Sequence, residues 1–281
     1  KEIETASNGE VKFKFYYGGV AGDEPDVLRK IRIGQFNGGI FTGKTLGEIA
    51  GDVRVMEIPF SFYQDQAKAA KVLQKMTPEF NQTLESKGFV NLGFYQVGQV
   101  YVVSSKKVEN LKTLKGLKIW SWEGDPLVKA MIESLGLVSV PLGITDVLSS
   151  LSTGIIDAAY APPLAIIALQ WHNKIKYLVD FPTAYSIGSL LIAKKDWAKI
   201  KPEIQQKLKE ISQKYTEEAN KSSMKENEDA RNALKKMGVQ FISFPEADYK
   251  EASALRVDVI KKIKGSYISP KMIDQFEKEI K

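Results

Sequence analysis

Apolar and polar residues alternate in "GEVKFKFYYGG", a period of two that predicts a strand ending in a Gly-Gly turn. "PDVLRKIRIGQFNGGIFTG" predicts a short helix, a turn and a strand. "QAKAAKVLQKMTPEFNQTLESKG" carries a helical period, with a break or restart at Thr77-Pro78 and a stop at Gly88. Two strand-like runs in "FVNLGFYQVGQVYVVSS" are interrupted at Gly98. Beyond them come a strand in "LKGLKIWS", a helix in "DPLVKAMIESLG" with Asp125 as N-cap and Pro126 at its first position, and a strand in "VSVPL". "TDVLSSLSTGIIDAAYAPP" predicts a helix from Thr145, a Gly turn and a strand stopped by two prolines. Strands alternating with helices of about ten residues define an α/β protein with largely parallel sheets.

The last third has a different period. Ile204, Leu208, Ile211, Tyr215 and Ala219 share one face of a helix from Lys201-Pro202 to Lys236, which at 1.5 Å per residue is about 50 Å long. A helix of that length exceeds one small domain and predicts an element that spans two lobes.

Composition narrows the function classes. The 281 residues, 43% of them hydrophobic, suffice for two domains with buried cores. No apolar run reaches 18 residues, so no segment reads as a membrane-spanning helix. The absence of Cys excludes disulfides, thiolate metal sites and cysteine nucleophiles. The net charge of +6 comes from 40 Lys and Arg against 34 Asp and Glu, interspersed as in "KPEIQQKLKEISQKYTEEANK". That is solvated surface without a basic, aromatic-laced stripe, and it argues against nucleic acid as a partner.

Enzyme chemistry finds no foothold. His172 is the one histidine and has no nucleophile or metal-ligand partner at a useful spacing. The GxGxxG, GxxxxGK[ST] and GxSxG motifs are absent, and "QFNGGIFTGK" has the wrong spacing for a phosphate loop. Adjacent carboxylates such as Asp23-Glu24 and Glu217-Glu218 read as solvated charges. Binding, with no cofactor and no metal, is therefore the leading class.

Four segments in order carry a resemblance: "DVLRKIRIGQFNGGIFTG", "VMEIPFSFYQDQAKAAKVL", "LKTLKGLKIW" and "SLGLVSVPLGITDVLSSLSTGIIDAAYAPP". Together they resemble the DctP-type periplasmic solute-binding subunits of tripartite ATP-independent periplasmic (TRAP) transporters, from Val11 onward. The resemblance implies an α/β, two-lobed periplasmic-binding-protein-like fold with hinge-crossing strands and a long helix spanning both lobes. One lobe would hold residues 1–99 and 187–226 and the other 100–186 and 227–281, with Gly98 and Ile187 on the crossing strands. It also implies hinge closure on a ligand and delivery to membrane permease subunits, with a helical-repeat lipoprotein as a further partner in some systems. The implied location is the periplasm, with a membrane tether through a segment ahead of Lys1. Family members carry a strand and a helix before the segment that matches "GEVKFKF", whereas "KEIETASNG" resembles only the end of that helix.

The site departs from the family pattern. Where relatives place an Arg that clamps the ligand carboxylate after "LKGLKI", this chain has Trp120, and a second family Arg falls on Gln99 or Val100. The polar run of "DGQENP" becomes Ala159, Tyr160 and Ala161, and an aromatic wall residue becomes Ile144. Phe41, Thr42, Phe60 and Tyr63 would face them from the other lobe. The expectation is an apolar or amphipathic ligand rather than a simple carboxylate, which would lose its charge-assisted clamp. Two alternatives stay open: Trp120 turning inward to fill the cleft, and a scaffolding protein that keeps the fold without ligand capture. Trp122 is read as packing, Trp171 and Tyr177 as helical core or surface residues.

Overall fold

A computed structural model describes residues 1–63 and 65–281. Its strands are β1 (Gly38–Thr42), β2 (Phe89–Ser104), β3 (Lys118–Ser121), β4 (Val138–Pro141), β5 (Ala158–Ala161), β6 (Tyr177–Val179), β7 (Ala184–Ala193) and β8 (Gln240–Ile242). Their order is β1-β7-β2-β5-β3-β4, with β6 joining β2 to β8. The expectation of largely parallel sheets is corrected. β2 runs antiparallel to β5, β6 and β7, and β1 to β7, so among these strands parallel pairing is confined to β3-β4, β3-β5 and β6-β8.

The two lobes are joined by β2 and β7. β2 pairs with β7 from Phe89 to Val100 and passes to β5 at Tyr101, so one strand serves both lobes. Gly98 does not end it. The register shifts between Gln96 and Gly98, and Gly98 takes φ +122°, a conformation open to glycine. A bulge of this kind re-aims the strand without cutting it, which is why two expected runs form one strand.

The helix Pro202–Lys236 follows its expected limits, but the buried face differs. Ser212 and Thr216 are buried while Tyr215 is 47% exposed. The cause is close approach: a Cβ on Gly93 of β2 would lie 2.1 Å from Thr216 Oγ1, so small residues must face the strand. Further along, Asn220 accepts from the Gln96 N–H at 2.8 Å and donates to Phe94 O at 3.1 Å. Ser223 donates to Gln96 O, and Asn227 donates to Val97 O. The helix therefore satisfies backbone groups that the bulge frees, as buried polar groups require.

Three further expectations change. Helix Gln66–Ser86 runs through Pro78 without a break. An internal Pro costs about 3 kcal/mol, but Val72, Leu73 and Met76 before it and Phe80 and Leu84 after it are buried on one face, and that packing outweighs the cost. Residues 11–17 form no strand despite their alternation. Phe13, Phe15 and Tyr17 do stack at 5.9 Å intervals, but no neighbouring strand offers these residues a ladder. Trp171 and Tyr177 do not share a helix: Trp171 opens a 3-10 turn and Tyr177 opens β6.

The apolar residues form several clusters. The largest joins Phe41, Leu46, Val55, Met76 and Phe80 with Val259, Ile263, Met272 and Phe276 near the C-terminus. A second surrounds Val102, Ile119, Ile132 and Phe244, and a third surrounds Trp120, Val147, Ile166 and Trp171. No helix of the described residues is long and apolar enough to cross a membrane.

Candidate ligand-binding site

Where β2 and β7 pass between the lobes, the chain forms a partly open cavity of about 200 Å³. Val97 and Val100 of β2 and Ala184 and Ser186 of β7 line it where the strands cross. Thr42, Gly43 and Pro59 form one side, and Arg54, Glu57 and Asp125 a charged floor. The other is aromatic and aliphatic, with Trp120, Trp122, Tyr160 and Trp171 beside Ile144, Leu127, Val128 and Met131. An apolar cavity of about 150 Å³ holds benzene, so this one has room for a small organic molecule.

Trp120 organises the aromatic wall. It is 2% exposed. Its ring stacks on Tyr160 at 5.0 Å and 23°, meets the edge of Trp171 at 5.5 Å, and lies 5.2 Å from Trp122. Its Nε1–H donates to Leu142 O at 3.0 Å, which satisfies the one polar atom of a buried indole. Trp120 thus both fills the wall and bounds the cavity, and Trp122, read from the sequence as packing, bounds it too.

Tyr160 supplies an uncommitted polar atom. Its hydroxyl is sealed from solvent and has no hydrogen-bond partner; the Trp122 amide lies near without the required geometry. Burial and then the Asp125 charge push the phenol well above its ordinary value, so it stays neutral at every physiological pH.

The charged floor carries a signal in the sequence: opposite charges three apart inside the apolar run "VRVMEIP". Arg54 Nε donates to Glu57 Oε2 at 2.6 Å, and its Nη1 and Nη2 donate to Asp125 Oδ2 at 3.2 and 3.1 Å. Glu57 Oε1 also accepts from Ser186 Oγ and the Ile187 N–H, while Asp125 Oδ1 caps helix Pro126–Ser134 through the Leu127 and Val128 N–H groups. Burial opposes the Arg54 charge, but Asp125 and Glu57 outweigh it and hold the guanidinium above its ordinary value. Asp125 was legible as an N-cap, but its pairing with Arg54 joins residues 71 apart, which no local pattern encodes.

The other sequence candidates fall in different places. Val100, Ile144, Ala161 and Thr42 line the cavity. Phe41 does not: strand alternation turns it into the largest core cluster, fully buried, while Thr42 takes the opposite face. Ala159 is fully buried in the third cluster and does not line the cavity, although Ala161 on the same face of its strand does. Phe60 packs away from the cavity, stacked on Phe181 at 5.2 Å, in a left-handed conformation (φ 61°) with its N–H bonded to Thr183 O. Gln99 and Tyr63 line a separate, more polar cleft beside Arg231 and Asp180, Gln99 because alternate β2 residues face opposite sides. His172 lies outside the cavity lining.

Thr42 is held by Glu24, whose Oε2 and Oε1 accept from its N–H at 2.8 Å and its hydroxyl at 2.7 Å. Burial pushes the Glu24 carboxyl up to about 7, against the two Thr42 bonds. Its folded value thus lies above the ordinary 4.5, so between those values the folded chain holds more proton and stability falls as pH rises. The difference in unfolding free energy between the parent and Glu24→Gln, followed by urea unfolding from pH 4.5 to 7, should therefore decline with pH; a flat difference would contradict the shift.

A two-lobed α/β molecule with a partly open, aromatic-walled cavity at its crossing strands has the build of a ligand-capture protein. The chain belongs to bacterial extracellular solute-binding protein family 7, the DctP type found with TRAP transporters, whose family model matches residues 1–265. It is 26% identical over 196 residues to a solute-binding protein of Verminephrobacter eiseniae, a match covering 69% of this chain and 58% of that protein. Its fold superposes with a TM-score of 0.87 on a TRAP periplasmic solute-binding protein of Pseudomonas putida F1 with bound D-glucuronate, at 25% identity over 98% of this chain and 89% of that one. A relative from a Bradyrhizobium species, in complex with galacturonate, superposes at 0.89 with 24% identity over 99% and 91% of the two chains.

Proposed function

We propose that the chain is the capture subunit of a TRAP transporter that closes its lobes on an apolar or amphipathic molecule in the periplasm and delivers it to membrane permease subunits. The observation that carries the ligand class is the state of Arg54. It is the one cationic residue among the described residues lining the cavity, and its guanidinium is already shared between Glu57 and Asp125. A ligand carboxylate would enter as a third negative group beside one positive one, without the clamp that favours it. Trp120, at the position where the family resemblance places an Arg, closes the alternative anchor with an apolar surface.

The lobes in this reading are 1–99 with 187–226 and 100–186 with 227–281, amended at the C-terminus. Val259, Ile263, Met272 and Phe276 share a core with Phe41 and Phe80, so the last helix moves with the first lobe. Protein purified from its native host without refolding, extracted into organic solvent and analysed by mass spectrometry, should release a stoichiometric small molecule with an apolar body. Recovery of a sugar acid or a short dicarboxylate would contradict the reading.

A further inference from the structure

We infer that the ligand carries a positive charge, as an alkylammonium or quaternary ammonium group on a small apolar body; this deepens the proposed capture function and rests on it. The charge balance of the cavity is the first observation. Arg54 brings one positive charge, and Glu57 and Asp125 bring two negative ones, with side chains 2%, 7% and 1% exposed. The N-terminus of helix Pro126–Ser134 at Asp125 offsets about half a charge, as helix ends do. Lys44, half-buried, brings its Cε near Gly124 and so eases the surplus from a distance, but it does not line the cavity and makes no ion pair with either carboxylate. Glu24, behind Thr42, adds further negative charge when it ionises. An empty or neutral-filled cavity leaves that surplus buried, eased by the hydrogen bonds from Ser186, Ile187, Leu127 and Val128 but without a second cation to balance it.

The second observation is the wall that faces the floor. Trp122, Trp171 and Tyr160 lie within 5.5 Å of Trp120, and an aromatic ring draws a cation to within about 6 Å of its centroid. Desolvation inside the cavity strengthens that attraction. The third is the Tyr160 hydroxyl, buried at the same wall without a partner, whose oxygen can accept from an ammonium N–H or contact a methyl group of a quaternary head. Aromatic faces and a surplus of negative charge converge on one volume and favour a cation over a neutral or anionic group of the same shape, and the Tyr160 hydroxyl, donor and acceptor alike, accommodates it.

Three probes of one skeleton test this by isothermal titration on the intact chain: choline, its neutral carbon isostere 3,3-dimethyl-1-butanol, and the anion 3,3-dimethylbutanoate. Choline should bind at least tenfold more tightly than the alcohol, and the carboxylate should bind worst. Glu57→Gln and Asp125→Asn, where they fold, should each bring the choline-to-alcohol ratio towards one, and the parent comparison stands without them. Equal binding of choline and the alcohol would overturn the cation inference and leave apolar capture intact. Tightest binding by the carboxylate would overturn both, and binding by none of the three would overturn the cation inference together with the cavity as a site for molecules of this size.

Discussion

Replacing Arg54 with methionine is expected to lower the unfolding free energy by about 3–5 kcal/mol, the cost of breaking a buried ion pair from one side. The side chain is 2% exposed and its nitrogens hold both carboxylates, so its loss leaves Glu57 and Asp125 facing each other in the cavity without a cation. Methionine replaces most of the aliphatic volume, which separates the electrostatic loss from a packing loss. Arg54→Lys should recover a minor part, because one ammonium cannot reproduce the fork that serves Glu57 through Nε and Asp125 through Nη1 and Nη2. Urea unfolding at pH 7 reads both effects. A loss below about 1 kcal/mol, the range of exposed pairs, would show that the carboxylates have another counterion.

Trp120→Arg is expected to change both stability and ligand class. Truncating a buried Trp costs about 3–5 kcal/mol, and the arginine also forfeits the stack on Tyr160 and the bond to Leu142 O. The new guanidinium adds one positive charge to a cavity with a negative surplus, so it stands against Glu57 and Asp125 and gives a carboxylate a cation to approach. Affinity for D-glucuronate should rise at least tenfold over the parent, while choline affinity falls. Trp120→Phe, which keeps an aromatic wall without adding charge, should gain nothing towards the carboxylate. Titration calorimetry of the three proteins distinguishes the outcomes. An arginine variant that folds yet gains no carboxylate affinity would show that position 120 does not address the ligand.

The long helix was legible because 35 residues of helical period stand out in any window. Its contact face was not, because Ser212, Thr216, Asn220 and Asn227 are polar residues chosen for close approach and for the carbonyls and amides of β2, which apolar periodicity does not report. The aromatic half of the site was partly readable: Trp120, Tyr160, Ala161 and Ile144 were named as candidates and line one cavity. Phe41 was assigned to the wrong face because a strand of period two places neighbours on opposite sides, and the sequence alone does not say which side is the cleft. Trp171 reads from the sequence as a helical core or surface residue; it is buried, but the left-handed turn at Gln170 (φ 58°) removes it from the preceding helix and sets its ring against Trp120 in the cavity wall. The charged floor needed tertiary structure, since Arg54 and Asp125 meet only after folding.

The most direct test of an apolar cavity that rejects simple carboxylates is calorimetric titration of the parent protein with D-glucuronate, the ligand bound by the Pseudomonas putida relative. No binding heat up to millimolar concentration is predicted. Micromolar binding, with saturation at one site per chain, would contradict it.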